Sequence, residues 1–392
     1  MLILVLNCGG ATLKFKLLQM PEELLVARGL FDRLGRPDAS FTYQRPGKTD
    51  LVTPMPTADH LDGMRTLLTT LTDLDHGVLK RLEELGAVAH KLAHGGDRFT
   101  GPVTIDDDVV AALREFSPLV PLHNPPNLRG IEIMRELLPE VRQFGTFETS
   151  FHQTVPLYAR IYGVPWDWHE QHHMRSFGFH SASHRYVASC MTAARVISCH
   201  LGSGTSVCAI RDGRSLDISS GLTPQSGTLM STRPGDFDPF VVTYAQRRLG
   251  LTPEEVERVL TTESGLLGIS GVSSDCRDLE AAAERGNARA QLALAAFAYR
   301  VRRFIGAFLV ELGGLDTIVF TGGIGENSPR LRAEICRPLA SIGLQLDDDA
   351  NQARGREAVI TATGSPVSAQ VILTDEEVMV ARDAYLRMTR PA

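Results

Sequence analysis

Apolar residues in this chain follow two rhythms: short β-prone runs that stop at glycine turns, and longer stretches with one apolar face. The most informative run is residues 196–213, VISCHLGSGTSVCAIRDG. Val196 and Ile197 lead into Gly202-Ser203-Gly204-Thr205, and residues 207–210 lead out. Asp212-Gly213 then supplies two positions tolerant of positive φ, as a two-residue hairpin requires. The N-terminus repeats the pattern, with residues 3–6, then Asn7-Cys8-Gly9-Gly10-Ala11-Thr12, then residues 13–18. Both turns contain Gly-x-x-Thr, at Gly9/Thr12 and Gly202/Thr205. Glycines and hydroxyls between paired strands leave backbone N–H groups open to an anion. Each turn therefore predicts a phosphate-cradling hairpin, and the two stand half a chain apart.

Between the hairpins, strands and helices alternate. Residues 29–34 and 39–44 read as strands, with Gly47-Lys48 as a turn. Residues 61–74 carry Leu61, Met64, Leu67, Leu68 and Leu71 at helical spacing. A strand over 87–93 runs into His94-Gly95-Gly96-Asp97, and residues 106–116 form a helix with an acidic first turn. Asn124-Pro125 starts a helix over 127–138, and a strand over 143–147 delivers Glu148. Ser181-Ala182-Ser183-His184 predicts a cap for a helix over 184–194. Residues 219–239, rich in Gly, Ser, Thr and Pro, carry the lone arginine Arg233. Thr252-Pro253-Glu254-Glu255 is a capping box, and residues 279–312 read as one long helical stretch. Its face Leu292, Phe297, Val301, Phe304, Phe308 and Leu312 predicts core. A strand over 316–320 opens onto Gly322-Gly323-Ile324-Gly325-Glu326-Asn327, where backbone can approach a nucleotide. After a strand over 369–373, Thr374-Asp375-Glu376-Glu377 reads as a capping box in which Glu377 reaches back to the cap, leaving Glu376 free for a ligand.

Composition narrows the picture. With 392 residues and 43% hydrophobic content the chain is long enough for two domains. A net charge of −6 without a basic block argues against nucleic acid as the main partner. No apolar run approaches the roughly 20 residues that span a bilayer, and MLILVLN lacks the charged start of a signal peptide. The six cysteines show no CxxC spacing, so reduced thiols and a cytoplasmic location are expected. His169-Glu170-Gln171-His172-His173 matches H-E-x-x-H, but Pro165 and the run from Phe177 leave no room for a capped helix. These read as surface histidines rather than zinc ligands.

From Ile3 to Arg387 the chain resembles the acetate kinase family of the sugar kinase/Hsp70/actin superfamily. The likeness is carried by His94-Gly95-Gly96, Pro121-Leu122-His123-Asn124-Pro125, Phe151-His152-Gln153-Thr154, Gly178-Phe179-His180 and Ser183-His184-Arg185-Tyr186. Cys199-His200-Leu201-Gly202, Thr232-Arg233-Pro234-Gly235-Asp236, Gly271-Val272-Ser273-Ser274-Asp275, the Gly322–Asn327 loop and Glu376-Glu377 continue it. The resemblance implies an α/β fold of two actin-like (ribonuclease H-like) domains from an internal duplication, with the active site in the cleft between them. The domains expected are residues 1–149 with 378–392, and residues 150–377; the final helix folds back onto the first. It also implies reversible in-line transfer from ATP to a small carboxylate, giving an acyl phosphate and ADP, with Mg²⁺ (or Mn²⁺) required, in a homodimer. Residue by residue, it puts Asn7, Thr12 and Lys14 near the phosphates and His180 and Arg233 on the transferring group. His200, Gly202, Ser203 and Gly204 line the phosphate tail. Asp275, Cys276, Arg277, Gly323, Ile324, Gly325, Glu326 and Asn327 face the adenosine. Glu376 and Asn7 hold the metal. Leu122, Phe179 and Pro224 form the acceptor's apolar pocket.

The departures from the family pattern fall in the same places. The first loop reads Cys8, Gly10, Ala11, Thr12 where the family has a run of serines, and Ser203 replaces an asparagine. Lys91 stands where an arginine grips the acceptor carboxylate, and an ammonium lacks the bidentate fork. Glu148 replaces a catalytic aspartate and is one methylene longer, while Ala93 replaces a pocket valine and enlarges the pocket. A displacement of about 1 Å at a reacting centre can cost roughly a hundredfold in rate. Three readings follow: an acyl kinase whose acceptor is not acetate, a slower acetate or propionate kinase, or a nucleotide-binding paralogue without useful turnover that acts as a sensor or interaction partner.

Overall fold

The computed structural model describes residues 1–389, so the last three residues of the expected segment 378–392 lie outside the described residues. The chain forms two compact units, Met1–Phe151 with the segment from Asp375, and His152–Thr374.

The first unit is built on an eight-stranded sheet, ordered β5-β4-β3-β2-β1-β6-β8-β7. Its strands are β1 (Leu2–Cys8), β2 (Leu13–Gln19), β3 (Leu24–Asp32), β4 (Ser40–Gln44), β5 (Leu51–Pro54), β6 (Leu85–Leu92), β7 (Val103–Thr104) and β8 (Gln143–Phe147). β1 pairs antiparallel with β2 and parallel with β6, which pairs parallel with β8. Alternation in β2 explains its placement: Leu13, Phe15 and Leu17 point into the core while Lys14 is exposed. β8 is buried along its whole length, as expected of a strand covered on both faces. The helix Glu376–Thr389 packs on β1, β6 and β8, and the helix Asn124–Leu137 packs on β1 and β6.

The second unit carries a six-stranded sheet ordered β11-β10-β9-β12-β14-β13. Its strands are β9 (Arg195–Leu201), β10 (Thr205–Arg211), β11 (Arg214–Ile218), β12 (Thr317–Thr321), β13 (Ala358–Val359) and β14 (Ser368–Val371). β9 pairs antiparallel with β10 and parallel with β12, which pairs parallel with β14. Thus β3-β2-β1-β6-β8 and β11-β10-β9-β12-β14 share one strand order and one set of directions. The hairpin at Asp212-Gly213 takes the positive φ at both positions that its residues allow. The 25-residue helix Ala288–Leu312 buries Phe297, Val301, Ile305 and Phe308 against the sheet.

Several local expectations need correction. The stretch 279–312 is two helices, Cys276–Glu284 and Ala288–Leu312, because Gly286 turns left-handed and Asn287 caps the second through Ala290 N–H. Leu292 is 60% exposed and is not part of the core face. The helix expected over 184–194 is Ser181–Cys190, with His180 at its N-cap at φ +60°. Ser181 and Ser183 therefore lie inside the helix rather than capping it. The cap of the last helix is Asp375, whose carboxylate accepts from Val378 N–H, not Thr374. Glu377 pairs with Lys16 at 3.4 Å and does not reach back to a cap. The segment around His169 is the short helix Trp166–His172, and His173 lies beyond it in the left-handed region. His169 and His173 thus do not share a helical face.

Candidate active site

Every singled-out strand-end residue falls at the C-terminal edge of a parallel strand, where open α/β sheets gather their ligand groups. In the first unit, Asn7 and Lys91 are the penultimate residues of β1 and β6, and Glu148 follows β8. Two asparagines one helical turn apart fix this edge. Asn127 accepts from Ala93 N–H (2.9 Å) and donates to Cys8 O (2.9 Å), tying β6 to β1. Asn124 accepts from His94 N–H (3.0 Å) and donates to His94 O (3.1 Å), fixing the His94-Gly95-Gly96 turn. Leu122, just before that helix, is 62% exposed.

Lys91 is enclosed by carboxylates. Its ammonium hydrogen-bonds Glu376, the first residue of the last helix, and lies 3.8 Å from Glu148. Burial works against its charge, but Glu148 and Glu376, with Glu377 behind them, outweigh burial and raise its pKa above the ordinary lysine value. Glu376 is therefore not free, as its place in the sequence suggested; it is held by Lys91. Beside it Lys16 donates to Asp375 at 2.7 and 2.8 Å, so the start of the last helix is pinned by two lysines. For a hard cation, Asn7, Glu148 and Glu376 offer oxygen donors only, which suits Mg²⁺, an ion held by one or two carboxylates with water and phosphate completing its shell. Among the described residues no group of three or more His, Cys, Asp or Glu side chains is placed to enclose a metal by itself. The donor set fits a metal that arrives with phosphate.

The two glycine turns leave fewer backbone amides open than expected. Neither Gly9, Gly10, Gly202 nor Gly204 has positive φ. The first amide of each turn closes it internally, Gly9 N–H on Thr12 O (2.8 Å) and Gly202 N–H on Gly204 O (3.1 Å). Glycine is needed for close approach instead. A Cβ on Gly204 would lie 2.8 Å from Arg233 Nη2 and 3.2 Å from His180 Nε2, and one on Gly202 would lie 3.6 Å from His200 Nε2. Three nitrogen-bearing side chains thus face one turn across the space a methyl group would fill. His180 and His200 stack with ring centroids 4.3 Å apart. Arg233 is half-buried, donates to Pro224 O, and has no carboxylate partner among the described residues. Burial lowers its pKa from the usual arginine value. A guanidinium desolvated without a counter-ion is primed for an anion.

The backbone leading to His180 is held by buried polar groups. His152 bonds Ser215 Oγ (2.9 Å) and, through Nε2, Phe179 O (3.0 Å). Burial lowers the His152 pKa to about 4, so it is neutral; the bond to Phe179 O opposes that shift. Phe179 N–H donates to Ser220 Oγ (3.1 Å), and Phe179 itself is 5% exposed.

In the second unit Asp275 caps the helix Cys276–Glu284 and pairs with the exposed Arg277, while Cys276 is buried. Residues Gly323 to Asn327 lie in the six-residue helix Gly322–Asn327 directly after β12. Glu326 has a structural role there, accepting from Gly322 N–H (2.9 Å) and Thr374 N–H (3.2 Å). Gly323 has nothing within 4 Å of its Cβ position, leaving that face open. Ser203 O accepts from Ser231 N–H (3.2 Å), which ties the turn to the Arg233 loop. Asn127 was not legible as a site residue in the sequence; only its pairing across β6 and β1 reveals it.

Twin sheets of the same order, each with a glycine turn between its first two strands, define a duplicated actin-like α/β fold. The acetate kinase of Porphyromonas gingivalis superposes with a TM-score of 0.93 at 39% identity, over 99% of this chain and 100% of that one. A propionate kinase from Francisella tularensis gives 0.91 at 34%, over 97% and 98%. An acetate kinase of Clostridium botulinum is 44% identical over 391 residues, 98% of each chain. The chain belongs to the Acetokinase family, which residues 2–382 match.

Proposed function

We propose that this protein transfers the γ-phosphoryl group of ATP to a small carboxylate, reversibly, giving ADP and an acyl phosphate. A carboxylate oxygen forms the new P–O bond in line with the one that breaks, and ADP carries off the electron pair. The observation that carries this reading is the convergence of Arg233, His180 and His200 on the Gly202–Gly204 turn. Family membership and the carboxylate kinases among the relatives support it. The alternative of a nucleotide-binding protein without turnover has no observation of its own in its favour.

In this reading Arg233 and His180 meet the equatorial oxygens of the moving phosphoryl group, whose charge they stabilise as positioned donors. His200, Gly202, Ser203 and Gly204 hold the phosphate tail, and Thr12 and Lys14 approach it. Asp275, Cys276, Arg277 and residues 323–327 face the adenosine. Asn7 and Glu376, with Glu148 close to Lys91, hold Mg²⁺, which would neutralise phosphate charge. Lys91 has three donors, so it can keep Glu376 and still offer one to the acceptor carboxylate. Ala93, Leu122, Phe179 and Pro224 border the acceptor's alkyl end, and the small Ala93 leaves room for an acid larger than acetate. The protein works as a homodimer in the cytoplasm, a reading that rests on family resemblance.

Incubation with Mg-ATP and a panel of carboxylates, trapping acyl phosphate with hydroxylamine, tests this. Turnover with acetate, propionate or a larger acid supports the assignment, and the best acid names the acceptor. Tight ATP binding with no hydroxamate from any acid refutes it.

A further inference from the structure

Behind His180 lies a chain of buried hydroxyl and imidazole groups. His180 Nδ1 is 2.8 Å from Ser206 Oγ. Ser206 Oγ is 2.7 Å from His184 Nε2, and His184 Nδ1 is 2.9 Å from Ser198 Oγ. Ser198, His184 and Ser206 are each 0% exposed. The chain ends inside the sheet: among the described residues the only hydrogen-bond partner of the Ser198 hydroxyl is His184 Nδ1.

That dead end fixes the direction of every bond. A serine hydroxyl has one hydrogen, and a neutral imidazole has one N–H and one bare nitrogen. If Ser198 donates to His184 Nδ1, then His184 Nε2–H donates to Ser206 Oγ, and the Ser206 hydrogen goes to His180 Nδ1. The hydrogens of Ser198, His184 and Ser206 then each have an acceptor, and the His180 proton sits on Nε2. The reverse order strands the Ser198 hydrogen in the core without an acceptor, which costs more than an ordinary hydrogen bond contributes. Burial holds His184 well below the usual imidazole pKa, so it stays neutral and can take part in only one order at a time.

We infer that Ser198, His184 and Ser206 are positioning residues that fix His180 as its Nε2–H tautomer, a neutral donor aimed at the Gly204 turn. His200 is arranged in parallel, its Nδ1 2.8 Å from Ser183 Oγ, which in turn lies 3.0 Å from Thr374 Oγ1. Both stacked rings thus turn Nδ1 to a serine and Nε2 toward the glycines. A hydroxyl-anchored ring needs no reorientation when charge develops on the phosphoryl oxygens. The inference rests on His180 meeting the phosphoryl group.

The test is ¹⁵N–¹H correlation NMR on histidine-labelled protein at pH 8 without ligand, with the His180 signals assigned by their loss in His180→Gln. The wild type should carry the His180 proton on Nε2 alone. Ser206→Ala and the more distant Ser198→Ala should both move part of the population to Nδ1–H. Each should lower kcat about tenfold while the KM for Mg-ATP changes less than about twofold. If Ser206→Ala does not fold, Ser198→Ala decides alone, since it leaves His180's own partner in place. A wild-type proton on Nδ1, or on both nitrogens, overturns the inference, as does an unchanged tautomer in both variants. An Nε2–H tautomer in a protein that transfers no phosphoryl group would uphold the hydroxyl chain and instead overturn the assigned function.

Discussion

Gly204→Ala separates the proposed phosphate cradle from the fold that carries it. The new methyl carbon would lie 2.8 Å from Arg233 Nη2 and 3.2 Å from His180 Nε2. Ordinary carbon contacts begin at about 3.5 Å, so the guanidinium must retreat by about 0.7–1 Å. It can, because it is the end of a long side chain, and Gly204 itself does not need positive φ. The unfolded chain loses freedom on Gly→Ala, which favours the folded state by about 0.4–1 kcal/mol where the backbone is compatible. Stability should therefore stay level or rise slightly. Catalysis should not: a misplacement of that size costs roughly a hundredfold in kcat/KM, or about 2.7 kcal/mol of transition-state stabilisation. Hydroxamate formation under kcat/KM conditions, with thermal unfolding of the same samples, reads both quantities. An intact Tm with kcat/KM within about threefold of wild type would mean that phosphate does not occupy the space in front of Gly204.

Other outcomes follow from the same contacts. Burial first, and then Glu311, raises the Asp217 pKa to about 6, against the opposing bond from Ile218 N–H. A carboxyl raised in this way weakens the fold as pH rises from the ordinary aspartate value through 6, so Asp217→Asn should raise the urea midpoint at pH 8 and leave it nearly unchanged near pH 3.5. The gain should be about 1–2 kcal/mol after allowance for solvent. Asn127→Ala removes partners from Ala93 N–H and Cys8 O, and should cost about 2–3 kcal/mol in denaturant unfolding; a loss under about 0.5 kcal/mol would mean water replaces it. Lys91→Met leaves Glu148 and Glu376 without their shared cation, so Tm should fall at pH 8 and partly recover at pH 5, where a carboxyl can take a proton. Lys91→Arg, able to fork onto a carboxylate, should lower the KM for acetate; an unchanged KM would argue that Lys91 serves the glutamates alone.

The parts of this protein legible in the sequence are those set by neighbours along the chain. Strand, glycine turn and strand are local grammar, so both hairpins and the Asp212-Gly213 turn were readable. Asn287 after Gly286 was a readable helix start too, but the apolar periodicity on either side concealed it. His180 is different. It stands at a left-handed N-cap (φ +60°), and its ring partner Ser206 lies on β10, 26 positions along the chain. The same holds for Glu376, whose partner Lys91 is 285 positions away, and for Asn127, whose bonds join two strands. A single sequence encodes such pairings only through sheet register.

The last helix has a consequence for how the chain is made. Its first residues meet Lys16 and Lys91, Asp383 accepts from Thr146 Oγ1, and Arg382 grips Glu23. A ribosome must therefore release the whole intervening unit before the opening sheet receives its final layer. Nascent chains stopped short of Asp375 would display the glycine turns but lack the carboxylate that Lys91 awaits.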